Sequence, residues 1–368
     1  MRVDLGPRSY DIVVERGLLS RAGEEIARRV AGGDAGGRLA FIVTQPRIGR
    51  LYGLALAQGL ERAGFRVQTV TLAAGERFKT LGAVQRVYTA MLAASADRRS
   101  VVVALGGGVI GDLAGFAAAT YNRGVDFVQV PTTLLAQVDS SVGGKTGVNF
   151  GPGKNLLGAF YQPRFVAIDP DTLASLPVRE RRSGLAEVLK YGIIDDKSFF
   201  RAVAPEADAL LRLQSASLEQ IIARSCQIKA RVVEQDEHEG GLRAILNFGH
   251  TIGHALEGAT QYRVYTHGEA IALGMVSAAL LGEEIGITRT EDTAELTNAL
   301  QACGFAVRLP ETLAVEKIMS LLSLDKKSVG GQARFVLMHA IGRVSSGHCV
   351  PLDMVERALR RQQAGHDG

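Results

Sequence analysis

Residues 101–121, VVVALGGGVIGDLAGFAAATY, constrain the possible folds more than any other stretch of the chain. An apolar run rich in Val passes straight into Gly106, Gly107 and Gly108, and helical text starts near Val109. A strand that reads apolar at every position is buried on both faces, and one that turns within three residues into a helix is the unit of a parallel α/β sheet. Glycines allow the tight turn and let N–H groups at the helix start approach a pyrophosphate. The spacing is G-G-G-x-x-G, not G-x-G-x-x-G, and a tight turn without any ligand accounts for it equally well.

The flanking text keeps the same rhythm. Leu39–Val43 and Phe65–Leu72 read as strands and Leu51–Ala63 as a helix closed by Gly64. Leu81–Ala94 is helical, and Ser100–Leu105 and Phe127–Val130 are strands. This predicts a parallel sheet covered on both faces. Beyond Leu176–Pro177 helical patterns dominate: Leu185–Tyr191, Leu218–Glu234, His250–Glu257, Glu269–Ile285 and Thr290–Ala302, with strand-like text shrinking to Arg334–Met338. The expectation is an α/β domain over 1–176 and a mainly helical domain over 177–368. No internal repeat is visible.

Glycine makes up 43 of 368 residues, above ordinary usage, and twelve of them fall between Gly106 and Gly158. No Gly-X-Y period exists, and 46% hydrophobic residues with 10 prolines exclude collagen and low complexity. The excess therefore predicts backbone that bends sharply or lies against a ligand. A net charge of +4 leans toward anionic ligands. The basic excess also raises a nucleic-acid-binding reading, but aromatics are 6% and no basic patch with interleaved aromatics appears. Three scattered cysteines, Cys226, Cys303 and Cys349, read as reduced thiols. The charged N-terminus lacks a signal-peptide core, and Ala270–Gly282 is too short to span a bilayer. A soluble cytoplasmic protein is expected, with no membrane or nucleic-acid partner.

Three further features carry chemistry. In residues 130–163 hydroxyls, glycines, Lys145, Lys154 and Asn155 are concentrated in a stretch too polar for core, expected to be a functional Gly-rich loop suited to phosphate. Glu187, His250, His254 and His267 are potential metal ligands; three of the seven histidines fall in 18 residues. Two His and a carboxylate with an open position make a catalytic zinc site. HTIGH has Thr251 where a zinc peptidase needs its Glu, which disfavours a peptidase, and spacing leaves open whether His254 or His267 completes the set. Finally, Lys190, Arg243 and Asn247 gain weight among the dispersed polar groups, which include Arg123, Lys229, Lys326 and Lys327, because they neighbour these ligands.

Together GGGVIGDLAGFAAATYNRG, VPTTLLAQVDSSVGGKTGVN, GPGKNLLGAFYQP, SGLAEVLKYG, LNFGHTIGHALE, HGEA and DKK resemble the 3-dehydroquinate synthase family of sugar-phosphate cyclases, in the family's order and over most of residues 70–342. The resemblance implies a Rossmann-like N-terminal domain, a helical C-terminal domain, NAD, one zinc or cobalt ion and a homodimer. It implies metal ligands Glu187, His250 and His267. For NAD it implies Glu76, Lys79, Gly107, Gly108, Val109, Ile110, Gly111, Asp112, Thr132, Thr133, Asp139, Lys145, Lys154, Thr172, Leu173, Ala174 and Ser175. For a phosphorylated sugar-acid substrate it implies Arg123 (reaching across the dimer), Lys145, Asn155, Lys190, Lys229, Arg243, Asn247, His254 and Lys326. His254, Glu239 and Lys145 are the candidates for catalysis. Gln45 and Pro46 stand where the family often has Asn or Asp, and Ser175 stands for Thr and keeps the hydroxyl.

The implied reaction turns 3-deoxy-D-arabino-heptulosonate 7-phosphate into 3-dehydroquinate and phosphate. It proceeds by transient oxidation, phosphate elimination, re-reduction, ring opening and aldol closure. The nearest rivals are 2-deoxy-scyllo-inosose and 2-epi-5-epi-valiolone synthases, whose substrates lack the carboxylate. Arg243 with Lys229 is the distinguishing feature, since a guanidinium fork suits a carboxylate. A metal-dependent glycerol-type dehydrogenase is the other rival.

Overall fold

The computed structural model describes all residues except 34, 152, 326–333 and 366–368. The chain forms two compact units, one of residues 1–176 with 217–234, the other of 177–216 with 235–368.

The first unit is built on a seven-stranded sheet ordered β1-β2-β9-β6-β5-β3-β4. Its strands are β1 (Arg2–Val3), β2 (Tyr10–Val14), β3 (Leu39–Thr44), β4 (Arg66–Thr71), β5 (Val101–Gly106), β6 (Asp126–Pro131) and β9 (Phe165–Ile168). All neighbours are parallel except the edge pair β1–β2. The period of two explains why β3 and β5 read apolar throughout. Phe41, Val43, Val102 and Ala104 face the helices Leu81–Ala93 and Gly108–Thr120. Ala40, Ile42, Val101, Val103 and Leu105 face the helices Ala22–Ala31 and Leu54–Arg62. The helix Leu218–Gln235 also belongs here up to Glu234. Its Cys226 thiol donates to Gln137 O at 3.1 Å.

Residues 145–160 are a β-hairpin, β7 (Lys145–Phe150) with β8 (Gly153–Phe160), where the sequence suggests a loop. The strands pass so closely that a Cβ on Gly158 would lie 2.3 Å from Thr146 O and one on Gly147 2.6 Å from Leu157 O. Here glycine is a requirement of strand pairing, and the stretch escapes a strand pattern because it carries few β-branched residues.

The second unit is helical, with a hairpin of β10 (Arg334–Ala340) and β11 (Arg343–Cys349). Its long helices Val178–Asp195 and His267–Glu284 and the shorter His250–Ala259 cross with little side chain between them. A Cβ on Gly268 would lie 2.1 Å from Ser183 O, and one on Gly274 2.0 Å from Gly249 O. Among the described residues no helix is long and apolar enough to cross a membrane.

Candidate functional site

Each unit carries its own group of predicted residues. In the second unit, Glu187 and Lys190 share one face of the helix Val178–Asp195; both are buried, and the Lys190 ammonium pairs with Glu187 Oε2. His250 is the first residue of its helix, after Gly249 at φ +78°. His267 opens the helix that follows Thr266, where Thr266 and Glu269 form a reciprocal capping box. Arg179 clamps that cap: its Nε and Nη2 donate to the two Glu269 oxygens at 2.8 and 2.7 Å, and Nη2 also donates to Val264 O.

Two helix starts and the middle of the helix Val178–Asp195 bring His250, His267 and Glu187 together, with donor atoms all within 4.8 Å of one another. Both imidazoles turn Nε2 toward the same oxygen, Glu187 Oε1, at 3.5 Å. Their other nitrogens are held from behind: His250 Nδ1 is 3.2 Å from Phe248 O, and His267 Nδ1 is 3.5 Å from Glu257 Oε1. One anionic oxygen and two nitrogens aimed inward, with Nδ1 atoms fixed by a carbonyl and a carboxylate, fit a divalent metal. Burial and the Lys190 charge push the His250 imidazolium well below its ordinary pKa, so that ring is neutral and can donate its lone pair. For His267 burial acts in the same direction, but Glu187 and Glu257 outweigh it and lift the pKa to about 9. His254, one turn after His250, is largely exposed and lies 4.0 Å from Glu257 Oε2. Helical i,i+4 spacing pairs His250 with His254; the crossing of two helices groups His250 with His267.

Arg243, Asn247 and Glu239 lie on the segment leading into the His250 helix. The Asp236 carboxylate accepts from the backbone N–H groups of Gly240, Gly241 and Arg243 at 2.7, 2.8 and 2.8 Å. Buried Arg243 donates through Nη1 to Glu237 O, and Asn247 Nδ2 donates to Glu239 Oε1 at 2.9 Å. Glu239 has a left-handed φ of +60°. Lys326 and Lys327 lie outside the described residues.

In the first unit, Gly107 precedes the helix Gly108–Thr120 without a side-chain cap, which leaves a helix start suited to an anion. The inner face of this helix is glycine because neighbours press on it. A Cβ on Gly108 would meet Ser140 Oγ at 2.9 Å, one on Gly111 Gln129 Oε1 at 2.6 Å, and one on Gly115 Thr146 Cγ2 at 2.4 Å. Val109 and Ile110 fall on the same first turn. Buried Lys79 pairs with Asp112 and with Asn155 Oδ1. Burial raises the Asp112 carboxyl although Lys79 opposes this. Glu76 Oε1 accepts from Asn149 Nδ2 at 2.9 Å, and Asn149 Oδ1 accepts from Asn155 N at 2.8 Å. A cavity of about 310 Å³ is lined by Asp112, Lys145, Thr146, Asn155, Leu156 and Phe160 among others. Lys154 is exposed on β8.

Thr132 N–H donates to Gly106 O at 2.9 Å, and Thr133 Oγ1 accepts from Ala136 N at 3.2 Å, so both hydroxyl residues abut the glycine turn. Asp139 accepts Lys229 Nζ at 2.7 Å through both its carbonyl and Oδ1. The Thr172–Ser175 turn, with Leu173 and Ala174, is held by residues that sequence reasoning missed. Tyr52 Oη donates to Thr172 O and bonds Ser175 Oγ, each at 2.9 Å, and Arg47 Nη2 donates to Ser175 O at 3.0 Å. Both belong to the helical stretch that Gln45 and Pro46 begin. Arg123 stands apart from the lining of the cavity, on the exposed turn that closes the helix Gly108–Thr120, at φ +66°.

Comparisons with known proteins identify the family. The family model described as 3-dehydroquinate synthase N-terminal matches residues 69–183, and that described as 3-dehydroquinate synthase C-terminal matches 184–328. Relatives named 3-dehydroquinate synthase include one from Synechococcus sp., 48% identical with 97% of each chain covered. Another, from Pelotomaculum thermopropionicum, is 50% identical over 93% of this chain and 91% of its own. Among solved structures, a 2-deoxy-scyllo-inosose synthase complexed with carbaglucose-6-phosphate, NAD+ and Co2+ superposes with a TM-score of 0.89 at 26% identity, covering 98% of this chain and 99% of its own. A 2-epi-5-epi-valiolone synthase from Streptomyces hygroscopicus with NAD+ and Zn2+ bound gives 0.85 at 29%, covering 95% and 96%. A probable glycerol dehydrogenase from Sinorhizobium meliloti, 14% identical, shares the fold alone. The chain belongs to the 3-dehydroquinate synthase family.

Proposed function

We propose that this member of the family catalyses the 3-dehydroquinate synthase reaction, converting 3-deoxy-D-arabino-heptulosonate 7-phosphate to 3-dehydroquinate and phosphate. The observation that carries the reading is the convergence of Glu187 Oε1, His250 Nε2 and His267 Nε2 in a chain of this family. Those residues hold the divalent ion, zinc or cobalt. Glu76, Lys79, the turn Gly107–Asp112, Thr132, Thr133, Asp139, Lys145, Lys154 and Thr172–Ser175 would hold NAD. When bound, NAD supplies a hydride acceptor that later returns the hydride, and the metal supplies a Lewis acid for the substrate hydroxyls.

The chain's own part is binding and proton handling. Arg243, already oriented by Asp236 and Glu237, presents a fork suited to the substrate carboxylate. Lys145, Asn155, Lys190, Lys229, Asn247 and Lys326 supply further donors, Lys229 being aimed by Asp139. Arg123, exposed on its own unit, fits a contribution across a homodimer. His254 and Glu239 handle the protons, Glu239 being fixed by Asn247. The enzyme works in the cytoplasm.

Supplied with the heptulosonate phosphate, catalytic NAD and zinc, purified protein releases phosphate with no accumulation of NADH. Steady NADH formation, or phosphate release only from a sugar phosphate lacking the carboxylate, overturns this reading.

A further inference from the structure

Glu257 lies on the helix His250–Ala259, two turns after His250, and is 4% exposed. Its two oxygens face two different histidines: Oε1 is 3.5 Å from His267 Nδ1, and Oε2 is 4.0 Å from His254 Nε2. The His267 ring therefore stands between two carboxylates, with Nε2 toward Glu187 and Nδ1 toward Glu257.

Two donor sets compete for this one ring. Glu187, His250 and His267 form the first; His254, Glu257 and His267 form the second, and each has its donor atoms within 4.8 Å. A neutral imidazole has a single lone pair, so it serves only one set at a time. An ionised carboxylate only accepts, so Nδ1–H facing Glu257 leaves the lone pair on Nε2, on the Glu187 side. We infer that Glu257 is a positioning residue that fixes the His267 ring to ligate through Nε2 and thereby closes the second donor set to metal. The inference rests on the metal reading proposed above.

The test uses the full-length chain stripped of metal, with Glu257→Leu, which keeps bulk and removes the acceptor, beside Glu257→Gln, whose amide oxygen still accepts from Nδ1–H. Zinc affinity is read by competition with a chromogenic chelator, and ligand geometry by the visible absorption of the Co2+-loaded protein. E257L weakens zinc binding by about 10- to 100-fold and alters the cobalt bands, whereas E257Q keeps the greater part of the affinity and the wild-type bands. Equal affinities and spectra for E257L and wild type overturn the inference, as does an E257Q defect as large as that of E257L. If E257L fails to fold, Glu257→Ala, which also removes the acceptor, takes its place: wild-type affinity and bands in E257A overturn the inference, and weakened zinc binding with altered bands supports it. His250→Ala separates this from the underlying reading. Wild-type protein that binds no stoichiometric zinc refutes the metal site itself. Tight wild-type binding that is lost in H250A but unchanged in E257L refutes only the role of Glu257.

Discussion

Replacing Gly268 by alanine puts a methyl group where two helices already touch through backbone. The added carbon would lie 2.1 Å from Ser183 O and 2.5 Å from Ser183 Cα, while contacts below about 3.0 Å are not sustained. The obstacle is main chain, so no side chain can swing away, and the helices Val178–Asp195 and His267–Glu284 must part by about 1 Å. Such overpacking costs about 1–3 kcal/mol, offset by at most about 1 kcal/mol from the better helix propensity of alanine. The same displacement carries His267 away from Glu187, one turn beyond Ser183. Metal–ligand lengths tolerate only about 0.2 Å, so a larger loss is expected in metal binding than in folding. Zinc affinity should fall by about 10- to 100-fold, or roughly 1.4–2.8 kcal/mol. Chelator competition gives the affinity, and urea unfolding of the metal-free protein gives the fold term. Gly53→Ala is the control, since nothing lies within 4 Å of its added carbon. A G268A protein with wild-type stability and zinc affinity would refute the argument that glycine contacts set the ligand spacing.

Other consequences are as direct. Glu187→Ala or His267→Ala should reduce bound metal from one ion per chain to a trace by elemental analysis; full retention rejects the ligand set. In metal-free protein the His267 pKa is raised to about 9 from 6.5, so the stabilisation by its carboxylates is complete below about pH 6.5 and lost as pH rises through about 9. Unfolding of wild type against His267→Gln at both ends of this window should differ by up to about 3 kcal/mol, and a constant difference contradicts it. Lys79→Met strands the Asp112 carboxylate and should cost about 3 kcal/mol as well as weakening NAD binding; a melting curve like that of wild type argues against the pair. Ellman's reagent should label exposed Cys349 at once and reach Cys226, whose thiol burial raises to about 12, only on unfolding.

The parallel sheet was legible because buried strands and amphipathic helices leave different periods, and β3, β5 and β6 carry theirs undisturbed. Residues 145–160 did not reveal their hairpin, since pairing there depends on Gly147 and Gly158 approaching across strands and no single-strand pattern records that. The candidate metal ligands were visible as residue types, whereas their grouping was not. His250 and His254 are neighbours on one helix, yet it is the crossing at Gly249, Gly253 and Gly274 that carries His267 to the same oxygen of Glu187. The glycines outside 106–158 thus have a function of their own. The backing groups Tyr52 and Arg47 act through partners more than a hundred residues along the chain. The clamp at Thr266 and Glu269 is different: its T-x-x-E spacing is a capping signal readable in the sequence.

The helix Leu218–Gln235 has a consequence for how the protein is made. The first unit is discontinuous: after Leu176 the chain builds part of the second unit and returns only with Ser217–Glu234. During synthesis the surface around Gln137 and Asp139 therefore stays uncovered until residue 234 has left the ribosome. A fragment stopped at 176 lacks Cys226 and Lys229, which close that surface, and can be expected to depend on chaperones or to aggregate. Order of emergence, and not only sequence, decides when that surface is first covered.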